Sequence, residues 1–260
     1  MKSWLTHGID PVMFRVGALE VRWYGFMYLL GFVIAAGIVH AELKRKGGPV
    51  PTGDGPILLL YAFLALTVGG RLGYVLIYNL QYYVDRPQEI LAVRRGGLSF
   101  HGGLLGMIIT GLFVARARGV PFMALADLGA IASPIGIMLV KIGNFINGEL
   151  FGRLTDLPWG VVFPAGGPFP RYPSQLYEAV LEGPVLFAVL WKFRMRAEIP
   201  GEILAAFLIG YGSFRFFAEF FREPDPQIGF LWGWLTMGQL LCSFMVVGGA
   251  GLFVRLRGGR

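Results

Sequence analysis

Cysteine, histidine and charge are all scarce in this chain, and each scarcity removes a class of function. The single cysteine, Cys242, excludes an internal disulfide and a multi-cysteine metal site, and its place inside an apolar stretch suits packing. Three histidines, His7, His40 and His101, have neither the spacing nor the neighbouring carboxylates of a metal-ligand set. Only 15% of the 260 residues are charged, too few to coat a soluble globule. Also absent are a repeat of fixed period, similarity between the two halves, and the ~10-residue alternating segments of a membrane barrel. The opening residues, Met1 to Val16, contain no apolar core followed by a small-residue cleavage site, so no cleavable signal is expected.

What the chain has in abundance is hydrocarbon: 55% of its residues are hydrophobic and its mean hydropathy is positive. Seven apolar stretches run roughly Val21 to Val39, Ile57 to Ile77, Phe100 to Ala115, Leu125 to Phe145, Leu176 to Lys192, Gly201 to Phe221 and Trp232 to Val254. Each is near the ~20 residues needed to cross a bilayer as a helix, the third being short. In lipid a spanning segment must satisfy its own backbone groups, so all seven are expected to be helical. The fold class expected is therefore all-α, a polytopic membrane bundle of seven transmembrane helices. It forms a single domain over residues 1–260, with a small insertion at about 147–172 between the fourth and fifth helices.

Basic residues crowd the ends of the odd-numbered stretches (Lys44, Arg45, Lys46; Arg116, Arg118; Lys192, Arg194, Arg196; Arg255, Arg257, Arg260), the pattern of cytoplasmic loops. Arg94, Arg95, Arg153, Arg171 and Arg222 are dispersed through the opposite loops, so the N-terminus is placed outside and the C-terminus in the cytoplasm. The net charge of +7 is explained by these clusters meeting anionic headgroups, which leaves no reason to invoke nucleic acid.

With the stretches laid head to tail, the ionisable residues near their ends fall on the outer side: Tyr24, Arg71, His101, Lys141, Glu178, Glu182, Arg215 and Glu219. An ionisable side chain inside hydrocarbon costs at least about 2.5 kcal/mol, so a cluster repeated from helix to helix points to a polar site. Arg71, Lys141, Arg215 and Arg222 suit a phosphate at headgroup depth, and Glu149, Glu178, Glu182 and Glu219 suit holding those cations. Arg215 and Glu219 also read as a plain i,i+4 pair. His101, which titrates near neutrality, is the candidate for proton transfer, and a hydrogen-bonded packing role is the alternative. The pairs Gly69/Gly73 and Gly102/Gly106 have the four-residue spacing that lets helix backbones approach closely. Asn79 to Gly97 reads as short interfacial helices, and Asn147 to Arg171 as a proline- and glycine-broken insertion. Trp159, Phe163, Phe169, Trp232 and Trp234 suit either an interface belt or substrate stacking.

The runs flanking this cluster are WYG (Trp23 to Gly25), GGRLGYVLIYN (Gly69 to Asn79), GGLSFHGGLLG (Gly96 to Gly106), GNFINGELFGR (Gly143 to Arg153), PSQLYEAVLEG (Pro173 to Gly183) and YGSFRFFAEFFREPD (Tyr211 to Asp225). In this order, over nearly the whole chain, they resemble the bacterial prolipoprotein diacylglyceryl transferases. The resemblance implies a seven-helix enzyme of the bacterial cytoplasmic membrane, with its N-terminus and active site toward the periplasm. Such an enzyme moves the diacylglyceryl group of phosphatidylglycerol onto the lipobox cysteine of a preprolipoprotein and releases glycerol phosphate, without cofactor or metal. The nucleophile then comes from the substrate, and Cys242 is free to lie away from the cluster.

Carried over by motif, the resemblance implies that Arg215 and Lys141 face the phosphate and that Glu219 and Arg222 support them. Asn144, Glu149 and Gly152, with Arg71, then form the phosphatidylglycerol site, while His101 and Tyr24 take the family's histidine and first-helix tyrosine positions. Lys141 stands where the family has Arg, Tyr172 where it has His before PSQLYE, and Phe151 where many members have Trp. Lysine keeps the charge but loses the bidentate fork. Two other readings are a divergent, non-catalytic lipid-binding paralogue and a membrane transporter.

Overall fold

The computed structural model describes residues 4–17, 19–45, 49–92, 96–224 and 229–259. Lys46, Arg94, Arg95 and Arg260 of the charge pattern, and Asp225 of the last motif, lie outside the described residues. The chain is mostly helical: α1 (Trp23–Lys44), α2 (Gly55–Gly73), α3 (Leu80–Asp85), α4 (Phe100–Arg118), α5 (Phe122–Asn147), α6 (Ser174–Val180), α7 (Leu186–Phe193), α8 (Glu202–Ala218) and α9 (Met237–Gly258). A π turn, Tyr74–Tyr78, extends α2, and another, Leu181–Val185, joins α6 to α7. Five segments are long and apolar enough to cross a membrane: Trp23–Lys44, Thr52–Tyr78, Phe100–Arg118, Phe122–Asn147 and Met237–Gly258.

Helix occupies every apolar stretch read from the sequence, but several ends move. Val21 and Arg22 belong to a strand rather than to α1, the third stretch runs on to Arg118, and the seventh starts at Met237. Asn79 to Gly97 does contain short helices, α3 and a 3-10 turn at Pro87–Leu91. The strands were not anticipated. β2 (Val12–Val16) and β3 (Leu19–Arg22) form an antiparallel hairpin, β1 (Leu5–Thr6) pairs in parallel with β4 (Val161–Val162), and β5 (Phe230–Leu231) pairs with β6 (Leu235–Thr236). Each is too short to show a period in the sequence, and the partner in the β1–β4 pair is more than a hundred residues away.

Two compact units divide the chain: Met1–Ile38 with Asp127–Arg260, and Val39–Ala126. In the second, α2 and α4 pack through glycine. A Cβ on Gly69 would fall 2.6 Å from the Gly102 carbonyl oxygen, and one on Gly73 would fall 2.7 Å from the Gly102 Cα. Backbones this close gain dispersion contacts along their length, which is what associates helices where lipid tails are as apolar as the side chains. α4 is capped at both ends. The Ser99 hydroxyl accepts from the Gly102 N–H at 3.2 Å, and Gly119 takes a left-handed conformation (φ 65°) after Arg118.

In the first unit α8 and α9 pack closely at Gly212 and Gly249, where a Cβ would lie 3.0 Å from the carbonyl oxygens of Cys242 and Ala205 respectively. The start of α8 is tied down by two carboxylates. Asp127 of α5 accepts from the Gly201 and Leu204 N–H groups, both at 2.7 Å. Glu202 accepts from the Glu198 N–H at 2.7 Å and pairs with Arg257 of α9 at 2.7 Å. Orphan N–H groups of a helix start inside lipid would otherwise stay unsatisfied.

Gly102→Val tests the glycine contact. It should lower the thermal unfolding midpoint in detergent, by overpacking of about 1–3 kcal/mol or more; an unchanged midpoint would show that α2 and α4 do not meet there.

Candidate active site

In the larger unit, side chains far apart in sequence converge into one buried ionic cluster. Lys141 comes from α5, Glu178 from α6, Glu182 from the π turn, Arg215 from α8, and Glu219 and Arg222 from the residues that follow α8. Helical spacing brings them to common faces, since Glu178 and Glu182, and Arg215 and Glu219, are each separated by one turn. The Lys141 ammonium pairs with one oxygen of Glu178, and the other lies 2.6 Å from Arg215 Nη1. Arg215 Nη2 pairs with Glu219, whose carboxylate also lies 4.0 Å from Arg222 Nη1. These side chains are buried: Glu178 is 2% exposed, Arg215 11% and Lys141 14%. Burying a charge costs several kcal/mol, and removing one partner strands the other, so the cluster stands or falls together.

The second oxygen of Glu219 accepts from the Thr236 hydroxyl at 3.0 Å. Thr236 is the N-cap of α9, in a capping box with Gln239. Glu219 therefore sits at a helix N-terminus, whose dipole favours the anion. A glycine makes room for it, because a Cβ on Gly238 would fall 2.6 Å from the Glu219 carboxyl carbon.

One turn beyond Lys141 along α5, a polar shelf begins. Asn144 donates to the Glu149 carboxylate at 2.8 Å, and Asn147 donates to the same oxygen at 3.2 Å. The intervening backbone is strained, with Leu150 at φ 55°, a left-handed conformation unusual for a branched residue. Gln175 holds it by donating to the Glu149 carbonyl at 2.6 Å, and Ser174 by donating to the Leu150 carbonyl at 3.3 Å. Gly152 follows, wedged between two backbones: a Cβ there would meet the Phe221 carbonyl oxygen and fall 2.6 Å from that of Tyr172. Its own N–H donates to the Tyr172 carbonyl at 2.9 Å, and the next N–H, of Arg153, donates to the Phe221 carbonyl at 2.9 Å. Tyr24 packs on this region too, its ring 3.1 Å from where a Cβ on Gly143 would be.

The cluster thus sets three cations among three carboxylates beside a strained polar shelf, and fixed cations of this kind are chemically suited to an anionic group. A sequence model of the prolipoprotein diacylglyceryl transferase family matches residues 11–255. The chain belongs to that family. Among its relatives, a phosphatidylglycerol–prolipoprotein diacylglyceryl transferase of Geobacter sulfurreducens is 53% identical over 233 residues, 90% of each chain. The protein of the same name from Nitratidesulfovibrio vulgaris strain DP4 is 46% identical over 252 residues, 96% of this chain and 95% of its own. That of Aliivibrio salmonicida is also 46% identical, over 93% of this chain and 85% of its own.

Two of the residues expected in a transferase site belong to the other compact unit. Arg71 is 6% exposed and its guanidinium is engaged by main chain: Nε donates to Ile90 at 2.8 Å, Nη2 to Glu89 at 2.7 Å, and Nη1 to Gly96 and Gly97 at 2.6 and 3.1 Å. A guanidinium has five N–H groups, and this one is organising the loop that leads into α4. His101 lies in the first turn of α4, exposed, with its ring edge-on to Phe100 at 5.7 Å.

Sequence reasoning missed Thr236, Gln175 and Tyr211. Tyr211 is one turn before Arg215 and within electrostatic reach of it and Glu182, so helical spacing could have found it. Thr236 could have been found from the capping-box spacing of Thr236 and Gln239 ahead of the last apolar run, whereas Gln175 acts by clamping a loop, which has no periodic signal. Cys242, which the expected reaction leaves free to lie away from the cluster, is buried within electrostatic reach of Arg215 and Glu219. Tyr172 is in an aromatic group with Tyr177 and Phe221.

Gly152→Ala should disturb the Leu150 turn and the pairing with Tyr172, giving lower thermal stability and at least a tenfold fall in transfer, on the order expected for overpacking. Wild-type stability and activity in this variant would contradict the tight passage described.

Proposed function

We infer that the protein transfers the diacylglyceryl group of phosphatidylglycerol to the cysteine thiol of a prolipoprotein, releasing glycerol phosphate. The observation that carries this reading is Glu178 holding Lys141 and Arg215 together in a buried site. In the reaction the sulfur forms a bond to the glyceryl carbon, and the bond from that carbon to the phosphate oxygen breaks. The oxygen leaves with the bonding pair, and the thiol proton passes to a base and then to solvent or the phosphate. Negative charge grows on the leaving phosphate, so cations held in place beforehand stabilise the transition state more than the bound lipid. Holding lipid and peptide in one cleft supplies the proximity.

In this reading Arg215 and Lys141 face the phosphate, with Glu219 and Arg222 supporting them. Asn144, Glu149 and Gly152 shape the headgroup site, Tyr24 belongs with Arg215 and His101 to the catalytic group, and the peptide bound there carries a lipobox. His101 assists thiol deprotonation, as its accessible imidazole suits. Arg71 contributes through the loop it holds. The bundle crosses the bacterial inner membrane seven times, the α6–α7 stretch and α8 adding to the five longer segments. The site and the N-terminus face the periplasm, the C-terminus the cytoplasm, and residues 147–172 form a periplasmic insertion.

One second reading, a non-catalytic lipid-binding paralogue, draws on Lys141 and Tyr172, which replace a fork-shaped cation and an imidazole. Purified protein, labelled phosphatidylglycerol and a lipobox peptide separate the two. A lipidated thiol should form, and Arg215→Ala should reduce its rate by about a hundredfold or more with the fold retained by circular dichroism. Lipid binding without any transfer in the wild type would favour the paralogue. His101→Gln should lower the turnover number and change its pH profile while leaving lipid binding intact; a wild-type rate at every pH would remove His101 from the proton path.

A further inference from the structure

Glu182 differs from the other carboxylates of the cluster. Glu178 and Glu219 each have close cationic partners, and Glu219 has the Thr236 hydroxyl as well. Glu182 is 0% exposed, and neither of its oxygens has a hydrogen-bond partner. Its nearest cation is Arg215 Nη1, at 3.9 Å, which is already within 2.6 Å of Glu178.

The backbone holds Glu182 in this position. It lies in the π turn before Gly183 and Pro184, where Gly183 departs from helical geometry (φ −95°, ψ −107°). Proline has no N–H to continue the ladder, so the helix kinks there. A Cβ on Gly183 would fall 2.6 Å from the Met138 Cβ, so this turn is pressed against α5. The groups that act on it are Lys141 from α5, Glu178 from its own helix, Arg215 and Tyr211 from α8, Arg222 beyond α8, and Cys242 from α9.

Deepening the reading of the previous subsection, on which it rests, we propose that Glu182 is a neutral carboxylic acid in the resting site and sets the charge presented to the lipid phosphate. An ionised carboxylate buried without a hydrogen-bond donor is far costlier than its neutral form. The ion-paired set holds three cations, Lys141, Arg215 and Arg222, and the carboxylates Glu178 and Glu219. With Glu182 neutral the cluster carries one more positive charge than with Glu182 ionised, which favours an anionic phosphodiester. With Glu182 ionised Arg215 is drawn toward a second carboxylate. Glu182 is thus a positioning residue that acts through Arg215. Because its proton is linked to lipid binding, affinity should fall as pH rises through its ionisation, with a limiting slope of about tenfold per pH unit for one proton.

The test is the affinity of purified protein in neutral detergent for short-chain phosphatidylglycerol between pH 5 and 9, without peptide and in a His101→Gln background so that the imidazole does not contribute. Glu182→Gln, which mimics the neutral acid, should bind at least as tightly as its parent at every pH, with the advantage growing as pH rises. Weaker binding by Glu182→Gln, in a variant folded by circular dichroism, would show that the ionised form is required and overturn the proposal. Identical flat profiles in the two proteins would overturn it as well. Because the peptide is omitted, absence of transfer in the wild type would defeat the functional reading while leaving this result interpretable.

Discussion

The arrangement depends on one carboxylate gripping two cations. Glu178, almost wholly out of solvent, joins Lys141 of α5 to Arg215 of α8 and so ties together helices that the sequence separates by more than seventy residues. Burying either charge alone would cost several kcal/mol, because the protein interior withholds the water that would solvate it. Their mutual attraction to Glu178 offsets that cost while leaving the cations in fixed positions. A loose pair of surface lysines would have to be ordered at the moment of reaction, whereas this pair is ordered in advance. The same economy governs Glu219, which joins Arg215 to the capped start of α9 through Thr236.

Around the ionic centre, irregular backbone appears where the site needs it. The π turn at Leu181–Val185 interrupts the run from α6 to α7, and the left-handed Leu150 and the close passage at Gly152 lie in the segment that follows α5. Inside a membrane such departures are tolerated where protein groups satisfy the freed polar atoms, and Gln175, Ser174 and the Tyr172 carbonyl do so here. At the opposite end of α8, about 20 Å away by helical rise, Asp127 and Glu202 satisfy backbone N–H groups and Arg257. Those acids hold the start of α8 in place, at the end away from the ionic cluster.

Much of this was legible in the linear chain. Long apolar runs can only be helices in lipid, so the helices were found, and the repeated ionisable residues at their ends named Lys141, Glu178, Glu182, Arg215 and Glu219 as a group. The four-residue glycine spacing foretold the close passage of α2 and α4. Helix ends were less legible, since strands of two to five residues at Val12–Val16 or Phe230–Leu231 carry almost no periodic signal. Arg71 shows the limit of reading charge as function: an arginine beside glycines looks like a phosphate ligand until its donors are found on four main-chain carbonyls.

Composition was enough to indicate a membrane-helix protein, and the order of its motifs carried the resemblance to the diacylglyceryl transferases, because hydrophobicity and local motifs are properties of the chain itself. Which carboxylate holds which cation was a different matter. Glu178 and Glu182 are one helical turn apart and equivalent by spacing, yet one is doubly paired and the other has no donor. A kink at Gly183 and the placement of α5 and α8 divide the two, and such distances between separate helices exist only once the chain has folded.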